Sequence, residues 1–228
     1  MGAVVGIAHA YTRAEFMEAA RRRWQDQCGS ECGETGNAFF AQIYDDALSE
    51  DLERVSADDL AALSVEFWAF GDRRTGDDIL VRIRTGTRAD GVELGRDVLE
   101  IIGNDRPFIV DSVMGEIGAQ GHDVVAMFHP IVQVRRDADG NRTAEGGRCT
   151  AESMIQVHLP ELDELSRRTL IEGVTATLDD VRVTVEDWSD MRAQMDESIA
   201  HLQQATTLAS PEEIAESLEF LRWLRDDH

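Results

Sequence analysis

The chain has 228 residues, 43% hydrophobic and 29% charged, with a formal net charge of −23 and no lysine among its 22 basic residues. Such a chain can hold one large or two small domains around a real core. The charge argues against phosphate backbones and anionic membrane surfaces as partners, and no apolar run approaches the length of a membrane span.

Gly2 to Ala10 is weakly apolar but lacks the basic start and long apolar stretch of a secretion signal, which points to a cytoplasmic protein. Residues 1–75 read as a helical segment. Thr12 and Glu15 form a capping-box pair ahead of Phe16, Ala20 and Trp24. Gly29 to Gly36 is a break. Cys28 and Cys32 stand four apart with no His nearby, and Cys149 is distant, so free thiols are expected. Phe39, Phe40, Ile43, Tyr44 and Ala47 suit a second helix. Ser56 and Asp59 suit the cap of a third, whose Leu60, Leu63, Phe67 and Phe70 make a core face.

From residue 76 the periodicity changes. Ile79, Val81 and Ile83 alternate with Leu80, Arg82 and Arg84, a strand expected to pair in a hairpin with the apolar run Val98-Leu99-Glu100-Ile101-Ile102. That run enters the polar loop Gly103-Asn104-Asp105-Arg106-Pro107. A helical pattern follows, with Val110, Val113, Met114 and Ile117 on one side and Gly121 as its terminator. Val124 to Arg135 is strand-like around His129-Pro130, and Asp137 to Asn141 is a turn. Glu152 to Leu159 alternates, with Ser153, Ile155, Val157 and Leu159 on one face. Leu162, Leu165, Ile171, Val174 and Leu178 stripe a second helix, and Val181, Val183 and Val185 read as a last strand. The order β-α-β-β-α-β over residues 97–186 is a ferredoxin-like α+β unit. Trp188, Met191, Met195, Ile199 and Leu202 stripe a further helix. Ala205 to Ala209 is a linker, and Ser210-Pro211-Glu212-Glu213 opens a helix carrying Ile214, Leu218, Leu221 and Leu224. This C-terminal hairpin occupies residues 187–228.

The Asp-x-Pro loop between first strand and first helix resembles that of ACT domains, amino-acid-sensing modules whose loop usually continues with Gly where Phe108 stands here. A closer resemblance lies in "NDRPFIVDSVMGEI" followed by "FHPIVQVRRDADG", and in "EFLRWLRDDH" at the end of the chain. These are similar to the N-terminal region of the large NAD-specific glutamate dehydrogenases, most strongly over residues 97–140 and 211–228. The resemblance implies an α+β, ACT-like domain over residues 76–186. It also implies a regulatory or assembly region of an enzyme that converts L-glutamate to 2-oxoglutarate and ammonia with NAD. Catalysis is expected elsewhere in that enzyme. No Gly-x-Gly-x-x-Gly follows a strand here, and the active-site lysines for which the family is known have no counterpart.

A loop that opens a helix offers free backbone N–H groups and a partial positive charge to an anionic or zwitterionic ligand. Asn104, Asp105, Arg106, Asp111, Ser112 and His129 are the candidate ligand-binding residues, with Arg106 as an exposed charge for a carboxylate and Asp105 or Asp111 for an ammonium. Two bland readings stand beside it: Asp105 as a helix cap, and Arg106 in an inter-domain salt bridge. His122 and His158 read as surface residues; a metal site would need His129, His158 and Asp111 together. No catalytic, cofactor or metal site is expected in this stretch. NAD belongs to the parent enzyme, and the partners are its other domains or subunits in a homo-oligomer, with an amino-acid effector. The alternative is an ACT-like interaction scaffold that senses nothing.

Overall fold

A computed structural model describes residues 12–45, 55–204 and 209–225. The expectations placed on residues 2–10, Ala47 and 205–208 lie outside them. The fold is α+β, in the order α1 (Arg13–Cys28), a 3-10 turn (Gly29–Cys32), α2 (Gly33–Ile43), α3 (Ala57–Phe70), β1 (Leu80–Thr87), β2 (Glu93–Asn104), α4 (Ile109–Ala119), β3 (Ala126–Phe128), β4 (Ile131–Arg136), β5 (Arg148–Pro160), α5 (Glu164–Gln204) and α6 (Pro211–Arg225). The chain divides into two compact units, with the boundary between Leu178 and Asp179 inside α5.

The helix boundaries follow local chemistry. Thr12 and Glu15 make the capping box of α1, and Ser56 and Asp59 make that of α3. Ser210 Oγ accepts from Glu213 N at 3.3 Å, while the Glu213 carboxylate accepts from Ser210 N at 2.8 Å. α4 ends as Gly121 adopts φ 77°, with His122 N donating to Ile117 O and Gly121 N to Gly118 O. Those two bonds satisfy carbonyls that the helix leaves open. Between α1 and α2 the chain makes only the 3-10 turn, and it joins Cys28 to Cys32 in a disulfide with Cα atoms 5.7 Å apart. The free thiols expected at these two positions are therefore corrected. Four residues of helical turn bring the two Cα atoms within disulfide range, a proximity that spacing alone did not reveal. Cys149 is a free, exposed thiol.

The strands form one antiparallel sheet, β1-β2-β5, with β3 and β4 following one another along the far edge of β5. His129-Pro130 separates β3 from β4, because Pro cannot donate to the ladder. The C-terminal strand expected at Val181, Val183 and Val185 does not exist; these residues lie within the 41-residue α5. β1 already pairs with β2 from Leu80↔Ile102 to Thr87↔Glu93, on the edge of β2 that such a strand would need. The same valines also fit a helix, because Leu178, Val181 and Val185 recur at spacings of three and four.

Both faces of the sheet are covered. Val98, Ile102, Phe128, Val132, Val134 and Met154 join one core with Trp24, Phe39, Phe40, Leu63, Phe67 and Trp68 of the first three helices. Within it Trp24 stacks on Phe40 at 5.2 Å, Phe39 meets Trp68 at 5.1 Å, and Tyr44 meets Phe128 edge-on at 4.8 Å. Leu99, Ile101, Ile155, Val157 and Leu159 alternate onto the other face and are equally buried, as are Val113 and Ile117 of α4 and Leu170 and Val174 of α5. In the second unit Ile199 is buried, and Arg225 of α6 pairs with Asp196 of α5 at 3.3 Å. No helix among the described residues is long and apolar enough to cross a membrane.

Trp24 is fully buried among three aromatic rings. Trp24→Ala should therefore cost about 3–5 kcal/mol in urea unfolding. A loss below about 1 kcal/mol, the ordinary size for a surface change, would mean that the helices do not pack on the sheet as described.

Candidate functional site

β2 runs into the loop without a break in pairing: Asp105 N still donates to Ala151 O of β5 at 2.9 Å. Phe108 then takes the left-handed conformation, φ 69°, and is 67% exposed. It is the N-cap of α4 and makes no side-chain capping bond. The cap expected from Asp105 is corrected: α4 begins four residues later, out of its reach. Asp111 lies exposed in the first turn of α4 and Ser112 is half-buried beside it. An acidic residue there complements the positive end of the helix.

The six candidate residues separate into small groups. Asn104 Oδ1 accepts from Arg74 Nη2 at 2.6 Å, and Asn104 Nδ2 donates to the Asp77 carboxylate. Arg106 reaches the same Asp77 at 3.9 Å. Its side chain is only 13% exposed, which corrects its reading as a surface charge. His129 Nε2 and Ser153 Oγ are 2.6 Å apart. Burial pushes the His129 pKa down, opposed by the Asp105 carboxylate, so those two predicted residues do share a field. Asp111 and Ser112 stand apart on the helix. His129, His158 and Asp111 do not assemble; among the described residues no group of three or more His, Cys, Asp or Glu is placed to hold a metal.

His158 is not a surface residue. It is 1% exposed on the sheet face covered by the first three helices, edge-on to Phe128 at 5.4 Å. Its Nε2 lies 3.3 Å from Gln156 Oε1, and the Gln156 amide donates to Glu100 at 3.2 Å. Burial, with the nearby charges of Arg96 and Arg84, lowers its pKa to about 3. His122 is half-buried.

Sequence reasoning missed three buried carboxylates on the central strands. Glu152 is 1% exposed and clasped by Arg74 at 2.8 Å and Arg136 at 2.6 and 2.8 Å. Glu100 is fully buried between Arg82 at 2.6 Å and Arg84 at 3.0 Å. Asp97, on the opposite face, takes Arg167 of α5 in a two-pronged pair at 2.7 and 2.8 Å. Their signal was a charge at an inward position of an apolar strand, as in Val98-Leu99-Glu100-Ile101-Ile102. Burial would raise the Glu152 pKa, but the hydrogen bonds and charges of Arg136 and Arg74 outweigh it and hold it below its ordinary value.

This geometry defines a class: an antiparallel α+β sheet of ACT type, with a loop-to-helix junction at the end of a central strand. Residues 39–174 match the family model for the glutamate dehydrogenase ACT1 domain, and the chain belongs to that family. It is 24% identical over 227 residues to an NAD-specific glutamate dehydrogenase of Pseudomonas aeruginosa, covering 96% of this chain. It is 27% identical over 235 residues to an NAD-specific glutamate dehydrogenase of Halomonas elongata, covering 97% of this chain. The chain spans 14% of the length of each.

Two expected outcomes follow from this geometry. Phe108→Gly should raise stability by about 0.5–1 kcal/mol in chemical denaturation, because Gly adopts φ 69° without the Cβ penalty. A lower stability would show that the exposed ring makes contacts worth more than the strain. His158 stays neutral when folded but binds a proton below about pH 6.5 when unfolded, so the unfolded state takes up more protons. Stability should therefore fall as pH drops from about 6.5 toward 3, by up to about 1.4 kcal/mol per unit from this residue. His158→Gln should flatten that slope in melts across the range, and an unchanged slope would assign it to other groups.

Proposed function

We propose that this chain is a regulatory and assembly region of a large NAD-dependent glutamate dehydrogenase, set N-terminal to the part that oxidises L-glutamate to 2-oxoglutarate and ammonia. The ACT1 match over residues 39–174 carries the reading. It is supported by alignment along nearly the whole chain to enzymes about seven times longer. NAD chemistry belongs to the rest of the parent protein, which is cytoplasmic and homo-oligomeric in this reading. The chain by itself is non-catalytic, and its partners are the parent's other domains and subunits.

An amino-acid effector would meet the loop at Asp105, Arg106, Asp111 and Ser112. Its carboxylate would face the start of α4 and its ammonium the acidic side chains. A specific observation favours the alternative, an interaction scaffold without sensing. Asn104 already spends its amide on Arg74 and Asp77, and the exposed Phe108 holds the N-cap position without a capping bond.

Calorimetry with the standard amino acids separates the two readings. Sensing predicts saturable heat from at least one of them. Asp105→Asn should then weaken it by about 1.5–3 kcal/mol with little change in melting temperature, since this side chain is exposed. Heat from none of them selects the scaffold. NADH produced by the pure chain from glutamate and NAD, above a buffer blank, would overturn the non-catalytic assignment.

A further inference from the structure

A second feature, which shares only Asn104 with the loop, lies on the sheet face covered by α1, α2 and α3. At the end of the sheet where β5 begins, a cavity of about 150 Å³ is lined by Arg74, Asn104, Arg136, Gly140, Arg148 and Thr150, among others. The alternation of β5 puts Arg148, Thr150 and Glu152 on one face, and the register sets Arg136 directly opposite Arg148 and Asn104 opposite Glu152. Like charges facing each other across a ladder are unfavourable. Here they persist in a chain whose net charge is −23.

The charges around the cavity are not balanced. Arg74 and Arg136 share the single carboxylate of Glu152. Their remaining donors end on protein carbonyls and the Asn104 amide. Arg74 reaches Gly76 O, Asp78 O and Asn104 Oδ1; Arg136 reaches Gly140 O, Asp72 O and Gly71 O. The Asp137 carboxylate at the rim is taken by its own turn, accepting from the Asp139 and Asn141 backbone N–H groups and the Asn141 amide. Three guanidiniums thus face two carboxylates, and the Asp77 carboxylate behind Asn104 is met by Arg106, leaving one positive charge in excess. Arg148 is exposed, and no hydrogen bond or ion pair engages its guanidinium among the described residues. The Thr150 hydroxyl lies two residues along the same face.

We propose that this cavity binds a small oxyanion, a carboxylate or phosphate group. The Arg148 fork and the Thr150 hydroxyl make the direct hydrogen bonds. Arg74 and Arg136, with their own donors engaged, form a fixed electropositive floor that needs no rearrangement. The volume is well above the ~10–15 Å³ that one water requires and suits an ion the size of phosphate or a short dicarboxylate. Bound between Arg136 and Arg148, the anion relieves their mutual repulsion.

The test titrates the full 228-residue chain with inorganic phosphate and, separately, with succinate, at constant chloride, by calorimetry. Saturable binding of phosphate alone, succinate alone or both supports the site and identifies the source of the oxyanion. Arg148→Gln should weaken binding at least about tenfold, the size expected on losing a charged hydrogen-bond pair. Without anion it should melt at the same or a higher temperature, because it removes a like-charge contact; this separates lost binding from lost folding. Thr150→Val should weaken binding less. Arg135→Gln, on the opposite face of the same hairpin, should leave it unchanged. No saturable heat from either anion below about 20 mM, a range where even weak specific sites register, would overturn the proposal. So would an Arg148→Gln protein that binds like the parent, or an Arg135→Gln protein that loses as much.

Discussion

Glu152 is the constraint around which this domain is assembled. A carboxylate 1% exposed on a central strand is tolerable only if its charge is met and its lone pairs are filled. Arg74 meets it from the loop after α3, and Arg136 from β4. The other donors of those two side chains hold the carbonyls of Gly71, Asp72, Gly76, Asp78 and Gly140. One buried charge thereby fastens the helical layer, the entry to β1 and the turn after β4 to the middle of the sheet. Gly140, at φ 84°, packs so close to the Arg74 carbonyl that a side chain would collide with it. Removing one partner of such a cluster leaves a buried charge unmet and typically costs about 3–5 kcal/mol.

The same device recurs at two other points and explains how a sheet covered on both faces is held in one register. Glu100, under the first three helices, brings Arg82 and Arg84 of β1 across the hairpin, and these also reach carbonyls of α3 at Glu66 and Leu63. Asp97, on the other face, fixes Arg167 at the start of α5 and accepts from the Leu162 backbone N–H just before it. Apolar contacts supply most of the driving force but are non-directional. Ion pairs of fixed geometry select among registers that a run of Val, Leu and Ile would otherwise accept.

A five-stranded sheet built this way places the loop-to-helix junction at the end of β2. The loop there is anchored by Asp77, which engages both Asn104 and Arg106. The hairpin β1–β2 occupies the edge that a C-terminal strand takes in a ferredoxin-like unit. The chain after α5's first turns is thereby free to continue as helix beyond the domain.

Local patterns in the amino-acid sequence determined the capped helix starts at Thr12, Ser56 and Ser210, the Gly121 terminator, the alternating strands and the break at Pro130. Each depends on contacts within a few residues, so each is legible without the fold. The ACT-like class and the family were legible too, because the Asn104–Val113 block joins strand, loop and helix in one continuous run. What only the tertiary structure decided depends on partners distant in the chain. Spacing could not show that Glu152 meets Arg74, that Asn104 and Arg106 converge on Asp77, or that His158 is sealed beneath Phe128. The segment 181–185 carries a strand pattern and a helix pattern at once. Its choice of helix was made by β1, one hundred residues earlier, taking the edge that it would have needed.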